Sequence, residues 1–164
     1  MRNKVGDISE RRIRTLILTW LAERDLLLDP RIRVEMTGED LPSTCLLKKN
    51  LVMEFSSEPD IAFWRQGDRG RELIAVVEIK GGIDPAGALE RYGAATKSFQ
   101  QSLAESPHCR NFLLSAVYTP ELKRRIRDDR LVDKYFDIVS ILEDTKTRME
   151  FFNELFHFAL RLTD

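Results

Sequence analysis

The chain has 164 residues, 43% hydrophobic and 32% charged, with 26 Lys and Arg against 27 Asp and Glu for a net charge of −1. This suits one buried core, so residues 1–164 are read as a single domain, and it excludes a uniformly basic nucleic-acid-coating protein. No apolar run approaches the roughly 20 residues of a membrane span, and the polar start Met1-Arg2-Asn3-Lys4 does not read as a signal peptide, so a cytoplasmic protein is expected.

In chain order, residues 8–27 predict an amphipathic helix with Ile13, Leu16, Ile17, Trp20 and Leu21 on one stripe and Asp7 or Ser9 as cap. Residues 31–37 alternate as a half-exposed strand, and Gly38 to Asn50 reads as a loop with Leu46-Leu47 packing back. Strands are expected at Leu51–Phe55, from Asp60, and from Glu72 to Lys80, the last two joined by a hairpin loop at Gln66-Gly67-Asp68-Arg69-Gly70. The third is apolar on both faces and should be central. Asp84-Pro85 opens a helix to about Ala104 with Leu89, Tyr92, Phe99 and Leu103 inward. Gly87 and Gly93 in it imply close approach to the sheet or to DNA. A strand from Asn111 to Tyr118, a short helix from Thr119-Pro120 to about Arg130, a strand from Tyr135 to Leu142 and an amphipathic helix from Glu143 to Leu162 complete the chain. This order predicts an α/β fold around a mixed sheet, antiparallel early and parallel later.

Two places break the apolar pattern with chemistry. Pro59-Asp60 precedes Ile61-Ala62-Phe63-Trp64, and Leu73-Ile74-Ala75-Val76-Val77 ends in Glu78-Ile79-Lys80. Glu78 and Lys80, two apart on a strand, share a face, with Ile79 on the other. If the strands are neighbours, Asp60 and Glu78 meet, and two close carboxylates call for a proton or a cation between them. Hard oxygen donors favour Mg²⁺, with Mn²⁺ as a substitute, and a lysine alongside can act on a water or a phosphate. The chemistry indicated is metal-assisted phosphodiester hydrolysis, with Asp60, Glu78 and the main-chain oxygen of Ile79 as metal ligands and Lys80 as the catalytic cation. Against this stands the plain reading of a turn-to-strand start and a charged strand end.

The two cysteines, Cys45 and Cys109, and the two histidines, His108 and His157, make no ligand spacing, so a disulfide framework, a zinc site or a catalytic triad is unsupported. Arg11 with its neighbours, Lys48-Lys49, and Arg91 and Lys97 on the helix after the motif either touch DNA phosphates or form solvated faces.

Pro59-Asp60 followed by Glu78-Ile79-Lys80 resembles the PD-(D/E)XK nuclease superfamily. The resemblance implies a restriction-endonuclease-like three-layer α/β/α core with a mixed central sheet, and Mg²⁺-dependent cleavage of double-stranded DNA. Glu10, in Gly6-x-x-Ser9-Glu10-Arg11, sits where such nucleases, the Holliday-junction resolvases among them, carry a glutamate on the first helix. It reads equally as an acid complementing the helix dipole. The run Glu78-Ile79-Lys80-Gly81-Gly82-Ile83-Asp84-Pro85-Ala86-Gly87-Ala88-Leu89-Glu90-Arg91-Tyr92-Gly93-Ala94-Ala95 is similar to type II restriction endonucleases of the XcyI kind. A junction resolvase or repair nuclease, or a catalytically silent nucleic-acid-binding domain, is the alternative. The chain is short for a full target-reading apparatus, so a fragment, a minimal relative or a homodimer is expected. The final helix, with Phe151, Phe152, Phe156, His157 and Phe158, offers the dimer contact.

Overall fold

The computed structural model of the protein describes residues 4–28 and 43–164. Helix α1 spans Lys4–Glu23. Its stripe Ile13, Ile17, Trp20 and Leu21 is buried. The helix begins earlier than its sequence implies, so Asp7 and Ser9 lie inside it. It also ends earlier. Asp25 turns left-handed at φ 55°, and the amides of Asp25 and Leu26 return to the carbonyls of Ala22 and Leu21 at 3.1 and 2.9 Å. These two bonds form a Schellman closure, which satisfies the orphan carbonyls of the last turn. The strand expected over 31–37 and the loop through Pro42 lie outside the described residues.

Six strands follow among the described residues: β1 (Thr44–Leu46), β2 (Leu51–Phe55), β3 (Ile61–Gly67), β4 (Gly70–Lys80), β5 (Arg110–Ser115) and β6 (Lys134–Asp137). They form one sheet in that order. Pairing is antiparallel from β1 to β4 and parallel for β4–β5 and β5–β6. Short turns make the antiparallel half and helical crossovers the parallel half, as the sequence predicts. β1 replaces part of an expected loop, with Cys45 and Leu47 buried and Leu46 exposed. The β3–β4 turn needs Gly70, whose φ of 115° is closed to side-chain-bearing residues.

Asp84 accepts a bond from the Ala86 amide at 3.1 Å and caps a 3₁₀ turn, Pro85–Gly87. That turn runs into α2 (Ala88–Glu105), which buries Tyr92, Ala95 and Phe99. Gly93 does not approach the sheet: a side chain there would meet open space. Helix α3 (Pro120–Asp129) is capped by Thr119. β6 is shorter than expected because Asp137 caps a new helix, α4 (Ile138–Glu143), through the Val139 amide at 2.9 Å. Asp144 then caps α5 (Thr145–Phe152), which continues as a π-helical segment, Asn153–Ala159.

The helices sort onto two faces. On one, α1, α4, α5 and the π segment cover Met53, Phe55, Ile61, Phe63, Val77, Ile79, Phe112 and Leu114. On the other, α2 and α3 cover Ala62, Leu73, Val76 and Leu113. The alternation along β4, with Val77 and Ile79 to one side and Val76 to the other, is the period of two that a doubly covered strand requires. The result is the three-layer α/β/α core with a mixed sheet. Trp20 stacks on Phe156 at 4.5 Å between ring centres and meets Phe152 at 4.9 Å. The final helix therefore turns Phe151, Phe152 and Phe156 inward, leaving Phe158 and Met149 exposed. The apolar face expected to join two copies is largely spent within the chain.

Candidate active site

β3 and β4 pair with Ile61 opposite Val77. Carried one step further, this register sets Asp60 opposite Glu78, and opposed residues of an antiparallel pair point to one face. The Ile79 amide donates to Asp60 Oδ2 at 2.7 Å. Lys80 Nζ lies 3.4 Å from Glu78 Oε2. Burial is deep, Asp60 at 5% exposure and Glu78 at 1%. The three residues of the sequence motif are thus adjacent at the end of the central strand.

Glu10 arrives from α1 and is likewise buried. Its position follows from Gly81: a Cβ there would sit 2.7 Å from Ser9 Cβ and 3.1 Å from Gly6 Cα, so α1 rests directly on the strand end. Arg14, one turn on from Glu10, pairs with its carboxylate, donates to the Ser56 carbonyl at 3.4 Å and lies over the Phe55 ring at 4.8 Å. The Arg14 contribution was available to sequence reasoning as an i, i+4 pair and went unread.

A cavity of about 230 Å³ opens between α1 and α2, lined by Gly6, Asp7, Glu10, Ser57, Asp60, Ile79, Lys80, Gly81, Gly82 and Arg91. Glu78 does not line it; its carboxylate is sealed in the wall beside Lys80. Burial, then the neighbouring Glu78, then Glu10 push the Asp60 carboxyl up to about 8, against the opposing pull of the Ile79 amide and Lys80. Burial also raises Glu78, with Lys80 pulling the other way. Hydrogen bonding from Ser98 and Asp60 also pulls the buried Glu78 carboxyl back down. Two close buried carboxyls call for a proton or a cation between them. Among the described residues no three His, Cys, Asp or Glu converge as a metal cluster. The donors present are two carboxylates and a strand carbonyl. That set fits a hard ion that keeps several waters, as Mg²⁺ does.

The basic residues divide. Arg91 lines the cavity. Lys97 is exposed further along α2. Arg11, beside Glu10 in sequence, is exposed and faces a different groove with Ile8, Arg12 and Thr15. Lys48 and Lys49 are at the other end of the β2–β3 hairpin, since Leu51 pairs with Arg65 while Phe55 pairs with Ile61. Five residues of strand, about 16 Å, separate them from Asp60. They bind within the chain: Lys48 to Asp25 at 3.6 Å, Lys49 to the Arg161 carbonyl at 3.2 Å. The expectation that they join the site's DNA contacts gains nothing from this placement.

A mixed sheet sandwiched by helices, with paired acids and a lysine at the end of its central strand, is a restriction-endonuclease-like architecture. The profile of the XcyI restriction endonuclease family matches residues 44–159. The chain belongs to that family; it is a type II restriction endonuclease, a deoxyribonuclease whose substrate is DNA. The matched span takes in all six strands together with Asp60, Glu78 and Lys80, and leaves α1 with Glu10 outside it. No curated protein matches the sequence. No helix among the described residues is long and apolar enough to cross a membrane.

Proposed function

We propose that the protein hydrolyses phosphodiester bonds of double-stranded DNA at specific sequences in a Mg²⁺-dependent reaction, and that it does so in the cytoplasm as a homodimer. The observation that carries the reading is the adjacent pair of acids, Asp60 at the wall of an open cavity and Glu78 buried behind it, both held toward the protonated state, with Lys80 beside them. Asp60, Glu78 and the main-chain oxygen of Ile79 would hold the metal. When bound, the ion lowers the pKa of a water and offsets charge on the scissile phosphate.

The chain's own groups do the rest. The Ile79 amide fixes the orientation of Asp60 by donating to one of its oxygens. Lys80, tethered by Glu78, orients or deprotonates the attacking water at the cavity wall. Glu10, buried at the cavity and steered by Arg14, adds negative charge that draws the cation in and serves as a third catalytic acid.

The deciding experiment incubates purified protein with plasmid and with a four-way junction, in Mg²⁺, Mn²⁺, Ca²⁺ or excess EDTA. Discrete bands with Mg²⁺ or Mn²⁺, little turnover with Ca²⁺ and none in EDTA are the expected result. Full activity in EDTA would refute a metal mechanism. Cleavage of the junction alone would favour a resolvase.

A further inference from the structure

Arg91 is held in an unusual way for a surface arginine of a helix. Its Nη2 donates to the Asp84 carbonyl at 2.7 Å. Its Nε is buried without a partner, and none of the ion pairs among the described residues includes it. The guanidinium runs along a channel walled by two glycines. A Cβ on Gly82 would lie 2.9 Å from Arg91 Cδ and Nη1, and one on Gly87 would lie 2.6 Å from Nη1. Neither glycine has a positive φ; Gly87 sits at φ −89° and ψ 0°. The backbone at both positions would accept alanine, so the missing side chains answer to the arginine and not to the turn. The channel delivers the guanidinium to the cavity that Asp60, Lys80 and Glu10 also line.

We propose that Arg91 is a catalytic residue that clamps the scissile phosphate, and that Gly82 and Gly87 are positioning residues that keep its path clear. The assignment rests on the cavity being the site of DNA cleavage. A planar fork of donors matches two phosphate oxygens at once, which a lysine in the same place cannot do. The Asp84 carbonyl holds one side of the fork, so little rotamer freedom remains to be lost when the phosphate enters. Lys80 faces the water and Arg91 the phosphate, which divides the two cations of the cavity between the two partners of the reaction. Among the described residues no carboxylate lies within ion-pair distance of Arg91, so its guanidinium is not committed to an acid before the anion arrives.

The test uses the full chain, Mg²⁺ and a plasmid that the wild type cuts. Arg91→Ala should slow cleavage by about 10²-fold, the usual consequence of losing one preset donor to a developing charge. The loss should fall on kcat more than on KM, and added guanidinium ion should restore part of it. Arg91→Lys should recover only a fraction, because it returns the charge without the fork. Gly87→Ala is the sharper variant. The atom in its way is the tip of a flexible side chain, so the fold should melt at the wild-type temperature while cleavage falls about tenfold or more. Arg91→Ala or Gly87→Ala cutting within about twofold of wild type would overturn the assignment while leaving the proposed function intact. So would an Arg91→Ala loss that guanidinium fails to relieve and that follows a lowered melting temperature. A wild type that cuts no DNA would defeat the proposed function first, and this assignment with it.

Discussion

Asp60 ties the site to the stability of the fold. Its carboxyl ordinarily titrates near 3.8 and is raised to about 8 here. Between those values the folded protein keeps a proton that the unfolded chain has lost, so the stability of the metal-free protein falls as pH rises through that window. Thermal melts in EDTA should therefore show a melting temperature that declines from pH 5 toward pH 8. Asp60→Asn should flatten the decline, abolish cleavage and melt no lower than wild type at pH 8. Asparagine is the better probe than alanine, because it keeps an acceptor for the buried Ile79 amide, and an orphaned amide costs about 1–3 kcal/mol. If Asp60→Asn unfolds the protein, the residue is structural. Mg²⁺ should raise the melting temperature of wild type at pH 8 and leave that of the variant unmoved, since a ligand stabilises only a state that binds it. Asp60, Glu78 and Lys80 were readable in the sequence because acids and a lysine are incongruous in a buried strand. The channel around Arg91 was not, since it depends on two glycines and a helix meeting in space. Gly87 was flagged for close approach, but the sequence could not say that the approaching group is an arginine of its own helix.

At the scale of elements, the two glycines after Lys80 are a seam where both flanking helices dock. Gly81 receives α1, and Gly82 receives the stem of Arg91 from α2. The two positions should respond differently to alanine. At Gly81 the obstructing atoms include the α1 backbone, which cannot swing aside, so Gly81→Ala should destabilise by about 1–3 kcal/mol, an overpacking cost, and displace Glu10. Chemical denaturation, with cleavage measured on the same variant, checks this; unchanged stability would mean that α1 is more loosely seated than described. The elements themselves were largely legible, because apolar periodicity and caps speak locally. The exceptions have local causes that compete with periodicity. β6 stops at Asp137 because that side chain finds the Val139 amide, and α1 stops at Glu23 because Asp25 takes a left-handed conformation. The network behind β5 was illegible: Asn111, fully buried, takes a bond from Ser102 at 2.7 Å and gives one to the Leu131 carbonyl at 2.9 Å. An asparagine in an apolar run carries no sign of which carbonyl will satisfy it.

At the scale of the whole molecule, cutting both strands at a symmetric site needs two active centres, and this core carries one cavity with the motif. A two-fold dimer remains our proposal, but the final helix is a poorer interface than its sequence implied, since three of its four phenylalanines are consumed by the core. Sedimentation with and without a duplex should show a dimer at least on DNA. A strict monomer would instead produce nicked circles well before linear plasmid, and would sink the dimer. An α/β fold around a mixed sheet was legible from element order, and the three-layer α/β/α core from the resemblance carried by the motif. Which helix lies on which face was not, because side-chain packing settles it.

Each layer of the core happens to hold one thiol. Cys45 lies among the residues under α1 and the final helix, Cys109 among those under α2 and α3. Both are buried thiols outside any disulfide, and burial pushes the Cys109 thiol up to about 12. Neither should react with a thiol reagent while its layer stays closed. The two sulfurs are therefore built-in clocks, one for each face of the sheet. Labelling the native enzyme and following the two peptides by mass should give two separate rates if the layers breathe independently, and a single shared rate if they open only together. The proposed site spans the seam between those layers, with Glu10 from one and Arg91 from the other. A bound duplex that bridges them should slow both clocks at once.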